Sequence, residues 1–140
     1  MKPDLPAVLT DLADKLRNNI VPELQGFRAG SVSMTAAMLD MVVDRWDAAA
    51  HHLVEENEAI VRLLARGAPL VGTPAAPACD RADLRISSLS RLNDNLREAL
   101  TNLHELVEGR KDEASQDLNR DIWVELRRSV NRRTIRSANF

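Results

Sequence analysis

Residues 32–65, VSMTAAMLDMVVDRWDAAAHHLVEENEAIVRLLA, decide how the rest of the chain is read. At 100° per residue, Thr35, Leu39, Val42, Trp46, Ala49, Leu53, Ile60 and Leu64 fall in one narrow arc. Asp40, Asp44, Asp47, His51, Glu55, Glu58 and Arg62 fall opposite them. No Pro or Gly interrupts the stretch, so it predicts one amphipathic helix over about 31–66, roughly 50 Å long. Met34, Met38 and Met41 fall within about 60° of one another and roughly 100° from that arc, which gives the first half a second apolar face. Such a helix touches two neighbours, either both within the chain or one of them a second copy of it. Glu56 and Asn57 straddle the arc between Leu53 and Ile60, the pattern of a frayed or water-lined layer or of a register device.

Upstream, Leu5, Leu9, Leu12, Leu16, Ile20, Leu24 and Phe27 recur at steps of three or four, predicting a first helix over about 4–27 with one buried stripe. Pro22 falls within it and should kink or end it. Gly26 and Gly30 punctuate, with Ser31 or Ser33 available to cap the long helix. Downstream, Gly67 reads as a stop, and Pro69, Gly72, Pro74 and Pro77 make 67–79 an irregular loop. Asp80, with Asp83 three positions later, then reads as the cap of a third helix over about 80–108, with a stripe of Leu89, Leu92, Leu96, Ala99, Leu103 and Leu106 and a stop at Gly109. A fourth helix over about 112–137 starts near Asp112 or Glu113 and turns Leu118, Ile122, Leu126 and Val130 inward. Past Val130 the pattern fails, because Arg133 falls on the seam and Ile135 nearly opposite. The economical answer is a single all-α domain over 1–140, bundle-like, with four helices and one long central helix.

Composition narrows the function classes. The chain has 140 residues, 44% hydrophobic and 29% charged, as a folded domain able to bury its own core does. A net charge of −2 gives no global attraction to nucleic acid or anionic lipid. With 3% aromatic residues and no Tyr, platforms for base stacking are scarce. Cys79 stands alone and fits a reducing compartment; just before a helix start it could be a reactive thiolate, yet no base accompanies it. Met1-Lys2-Pro3-Asp4 opens without an apolar signal core, and no run approaches the ~18 apolar residues of a membrane span, so a cytoplasmic protein is expected.

Two constellations could carry chemistry. Asp44, Asp47, His51 and Glu55 are spaced three, four and four, which lines oxygen and nitrogen ligands along one helical face. They lie opposite the apolar arc, however, whereas metal sites in bundles project inward. A solvated charged face is the commoner origin of such spacing, and no metal or cofactor is assigned. Asp94, Glu98 and Glu105 also fall on the outer side of their helix, and His52 and His104 stand apart from any second catalytic group. No Gly-rich phosphate loop, HExxH, CxxC or nucleophile elbow is present. The second constellation is a charge asymmetry: residues 120–140 carry six Arg against Asp121 and Glu125, net +4, leaving −6 elsewhere. Arg128, Arg132 and Arg136 form a row at four-residue steps that could grip an anion or pair with carboxylates.

The stretches LADKLRNNIVPELQG (12–26), AAMLDMVV (36–43) and LRRSVNRRTIRSANF (126–140) resemble a family of short bacterial all-helical proteins of unknown function. Its members often sit beside genes for acyl-CoA dehydrogenases and aminoglycoside-phosphotransferase-like kinases. The resemblance implies an accessory role in acyl-CoA or related catabolism. Where the family tends to place His and Arg at the opening of the second helix, this chain has Gly30, Ser31, Val32 and Ser33. The leading expectation is a non-enzymatic helical interaction protein, a homodimer with a further protein partner. Met34, Met38 and Met41 are its self-association candidates, and Arg128, Arg132 and Arg136 its anion-binding candidates. The alternative is a carboxylate-metal-dependent all-α hydrolase of a phosphorylated small molecule, using Asp44, Asp47, His51 and Glu55.

Overall fold

The computed structural model describes residues 4–46, 48–73, 83–135 and 137. Every regular element among them is helical. They are α1 (Leu5–Lys15), α2 (Gly26–Trp46), α3 (Ala49–Val71), α4 (Ile86–Glu108) and α5 (Glu113–Arg133), with a π-helical turn (Leu16–Ile20) and a 3-10 turn (Val21–Glu23) after α1. The chain divides into two compact units, Met1–Ala48 with Ile135–Phe140 and Ala49–Thr134. No helix of the described residues is long and apolar enough to cross a membrane.

In the first unit Pro22 sets how α1 ends. Without an N–H it cannot continue the i→i−4 ladder, and the preceding turn widens so that the Val21 N–H donates to the Leu16 carbonyl five residues back. The Leu24 N–H then closes on Val21 at 3.1 Å, and Leu24 turns extended. Gly26 follows at φ 59°, a left-handed conformation that costs a glycine little, and α2 begins there. Gly30, Ser31 and Ser33 therefore lie inside α2 rather than ahead of it, and the Thr35 hydroxyl donates to the Ser31 carbonyl at 3.0 Å. Arg17 joins Asp40 at 2.5 Å across the hairpin. Among the described residues of this unit only Ala13 and Ala36 are fully shielded; Leu5, Leu12, Ile20 and Phe27, expected on a buried stripe, are exposed.

The single helix expected over 31–66 is instead two, α2 and α3. The reason lies in the phase of the buried positions. Ala29, Val32, Ala36, Leu39 and Val43 carry the shielded face of α2, and Glu56, Ile60, Leu63 and Gly67 that of α3. On one unbroken helix those faces are centred roughly 130° apart. The arc that joined Thr35, Val42 and Trp46 to Ile60 and Leu64 thus mixes exposed with buried positions.

The second unit is a three-helix bundle. Asn57 reaches Leu89 and Asn93 while Gly67 abuts Leu103, so α3 and α4 run parallel. Arg66 meets Asp121 and Glu56 meets Ser129, so α5 runs antiparallel to α3. Parallel neighbours leave the end of α3 and the start of α4 about one helix length apart, roughly 34 Å for the 23 residues of α3. This is why no short turn joins them. The core is Ile60, Leu63, Leu64, Leu96, Leu100, Leu103, Val107, Leu118 and Ile122. Each such side chain contributes about 1.5–3 kcal/mol on burial.

Helix ends depart from the sequence expectation in ways that packing explains. Gly67 does not stop α3; its Cα packs against the buried Leu103, and an added Cβ would lie 2.5 Å from Leu103 Cδ2. The helix runs on through Pro69 to Val71. The stop is Gly72 at φ 72°, with the Gly72 and Thr73 N–H groups both on the Ala68 carbonyl at 2.9 and 3.2 Å. Arg110 donates to the Leu70 carbonyl at 2.5 Å, placing a cation at the negative end of α3. α4 starts at Ile86, later than expected. Asp83 lies just ahead of it, accepting from the Arg85 N–H at 3.1 Å and from the Arg85 guanidinium at 2.6–2.8 Å. These contacts, with Ser88, hold the Asp83 carboxyl well below the usual carboxylate range. Asp80 and Cys79 lie outside the described residues. Gly109 ends α4, and the Asp112 carboxylate caps α5 by accepting from the Ser115 N–H at 2.9 Å. That bond lowers the Asp112 carboxyl as well. α5 ends at Arg133, short of 137.

Because Leu103 is itself packed in the core, Gly67→Val forces it out of place. We expect a loss of about 1–3 kcal/mol, read as a lower urea midpoint of the full chain. An unchanged midpoint would mean that the α3–α4 approach is looser than described.

Candidate functional site

Two features stand out from ordinary helical packing, one in each unit. The first is the outward face of α2. Phe27, Met34, Met38, Val42 and Trp46 recur at steps of four and seven, centred roughly 130° around the helix from its shielded face. All five are exposed, Phe27 at 91% and Met38 at 56%. Met41 beside them is half-buried. From 29 to 39 the helix carries no charged side chain at all. Solvent-facing helices ordinarily place charges there, and contiguous exposed apolar stripes mark interaction surfaces. The unit that bears the stripe fully shields only two alanines among its described residues, which is little core for so many apolar side chains. Chemically the surface offers a ring, thioethers and aliphatic carbon. Methionine's unbranched chain adapts to irregular partners.

The second feature is a polar layer across α3, α4 and α5. Glu56 is 3% exposed, and its Oε1 accepts from Arg97 Nη1 at 2.7 Å, from the Ser129 hydroxyl at 3.1 Å and from Arg133 Nη2 at 3.1 Å. Arg133 also donates to Asn93 Oδ1 at 3.2 Å. Asn93 Nδ2 donates to Asn57 Oδ1 at 2.8 Å, and Asn57 Nδ2 to the Leu89 carbonyl at 3.1 Å. Burial pushes the Glu56 carboxyl up, but the two guanidinium groups, Ser129 and Asn93 outweigh it and hold it below its ordinary value. The layer places a different donor or acceptor at each helix, so a one-step slip of any helix leaves buried groups unpaired. It acts as a register device. A recess of about 60 Å³ adjoins it, lined by Glu56, Arg97, Thr101, His104, Glu125 and Ser129 with Ile60 and Ile122, which is room for a few waters.

Arg133, read from sequence as the point where the apolar pattern fails, is the member of this layer that closes it. The inward row of α5 is Ser115, Leu118, Ile122, Glu125 and Ser129, so Val130, expected inside, is 68% exposed. Leu106 of α4 is likewise exposed, whereas Leu89, Leu96 and Leu103 are buried as their stripe predicts. The signal for Glu56 and Asn57 was in the sequence, as polar residues on an apolar arc. Arg133 was signalled as a charge on the seam of its helix, and Ser129 only by its i, i+4 spacing from Arg133 on α5.

The other sequence candidates disperse. Asp44 accepts from the Ser137 N–H at 2.9 Å in the first unit, and His51 and Glu55 stand 3.6 Å apart on exposed turns of α3 in the second. Asp47 lies outside the described residues. Among the described residues no three His, Cys, Asp or Glu are grouped to hold a metal ion. Arg132 sits between carboxylates, donating to Glu125 Oε1 at 2.6 Å and facing Glu55 Oε2 at 3.5 Å. Burial disfavours its charge, but these partners raise its pKa. Arg128 is exposed, 4.0 Å from Glu125, and Arg136 lies outside the described residues. His104 Nε2–H donates to Asn119 Oδ1 at 2.9 Å, and the ring meets Trp123 edge-on at 5.3 Å. Comparison with protein-family models, with curated proteins and with solved structures finds no match for this chain.

Proposed function

We propose that this chain is a non-enzymatic helical interaction protein that self-associates through the outward face of α2. A single observation carries the reading: an apolar stripe, Phe27, Met34, Met38, Val42 and Trp46, with no charged residue between 29 and 39, faces away from the hairpin that displays it. A two-helix hairpin buries too little to be stable unaided, and pairing two of them makes a four-helix arrangement with the stripe at its centre. With no charge on 29–39 to select a different partner, the face is complementary to itself, as a two-fold interface requires. The three-helix unit, fixed in register by its polar layer, is then the rigid part that each copy carries. A cytoplasmic setting and a further protein partner belong to the same proposal. So does an accessory role beside acyl-CoA catabolism, which rests on the family resemblance alone.

Met38→Glu puts a charge in the middle of the stripe without touching the shielded face. The expected result is a drop in solution mass from twice 15.6 kDa to 15.6 kDa by light scattering, with helical content retained. A variant with the same mass as the parent would discard this face as the interface.

A further inference from the structure

We propose that the groove between α3 and α5 binds a small phosphomonoester. The groove has a volume of about 270 Å³ and is lined by Ala59, Arg62, Leu63, Arg66, Asp121, Val124, Glu125 and Arg128. Its three guanidinium groups face two carboxylates, and both carboxylates are engaged. Asp121 takes Arg66 at 2.5 Å, and the buried Glu125 takes Arg132, which lies outside the groove lining, at 2.6 Å. Among the described residues, Arg62 and Arg128 are held only at 4.0 Å, by Glu58 and Glu125, which is an ion-pair distance but not a hydrogen bond. Their planar donor forks are thus poised for a stronger acceptor, and a phosphate dianion accepts two parallel bonds from each.

The walls narrow the ligand class further. Leu63 and Ala59 are buried, and Val124 is on the facing helix, so aliphatic carbon lines the groove alongside the guanidinium groups. The volume falls below the ~300 Å³ at which sites for drug-sized molecules begin, so the organic part of the ester is small. A carboxylate ligand offers one planar pair of oxygens and one charge; the two guanidinium groups of Arg62 and Arg128 are better matched by a tetrahedral dianion. The sequence row Arg128, Arg132, Arg136 is not what forms this site. Arg128 belongs to it together with Arg62 and Arg66 of α3, while Arg132 is occupied by Glu125 and Glu55. The groove lies wholly within the three-helix unit and stands independently of self-association.

The test is a calorimetric titration of the full chain with phenyl phosphate and with inorganic phosphate, at constant ionic strength set by sodium chloride. Saturable binding of both is expected, phenyl phosphate several-fold the tighter because its ring covers the apolar wall. Arg62→Gln and Arg128→Gln should each weaken phosphate binding about fivefold, whereas Arg91→Gln, on α4 outside the groove, should leave it unchanged. Absence of binding beyond chloride controls would overturn the proposal. So would wild-type affinity in both groove variants, which would put the phosphate elsewhere.

Discussion

Glu56→Ala is expected to cost this protein about 3 kcal/mol, more than any surface substitution. The carboxylate is the common acceptor for Arg97, Ser129 and Arg133, and its removal leaves two cations and a buried hydroxyl facing a hole. Taking away one member of a buried charge pair costs about 3–5 kcal/mol when the survivor stays buried. Arg97 and Arg133 are each half-exposed and can reach water, which places the value at the lower end of that range. Urea unfolding of the full chain measures it. Glu56→Met combined with Arg97→Met should recover part of the loss, since no charge then lacks its partner. Equal losses in the single and double variants would show that the carboxylate does not act through Arg97. The pH dependence has a definite sign. Glu56 is held below its ordinary 4.5, so its contribution is present above that pH and is lost as pH falls through the folded-state value. Wild type should therefore lose stability on acidification below about pH 4.5, and Glu56→Gln should lose less of its own over the same interval.

Ile122→Ala is expected to cost about 4 kcal/mol, for a different reason. Ile122 is 0% exposed and sits where all three helices of the second unit meet, beside Ile60, Leu100 and Leu118. Truncation removes the transfer energy of the lost carbons and leaves a cavity that three packed helices cannot close by moving one side chain. The recess already lined by Ile122, Glu56 and Ser129 would enlarge, and the polar layer would lose its apolar floor. Calorimetric or urea unfolding would show it. A loss under about 1 kcal/mol would mean that the core repacks, contrary to the account of a bundle locked by its polar layer.

Much of the second unit could be read directly from residue spacing. The Leu89, Leu96, Leu103 stripe, the helix start near Asp112, the stop at Gly109 and the placement of Ile60, Leu64, Leu118 and Ile122 inside all follow from a 3.6-residue period and elementary helix-end chemistry. The division of 31–66 into two helices could not be read, because no Pro or Gly signals it. It shows only in which side of each half is shielded. Gly67 misled for a related reason, since a glycine that ends a helix and one that admits a neighbour look alike until Leu103 is in place. Val130, expected inside, is exposed and Ser129 is buried beside it because a polar layer, not an apolar one, closes that end of the bundle. The Met face was legible as a second apolar face of its helix. That Phe27, Val42 and Trp46 extend it required coordinates, since the sequence placed Phe27 on a buried stripe and the other two on the main arc.

Self-association through α2 is the claim on which the functional account rests, and sedimentation equilibrium of the unmodified chain between about 1 and 100 µM tests it most directly. The expected result is a concentration-dependent average mass rising from 15.6 kDa to a plateau at twice that value, as a closed two-fold interface requires. A mass fixed at 15.6 kDa throughout would contradict it and leave the apolar stripe to some other partner.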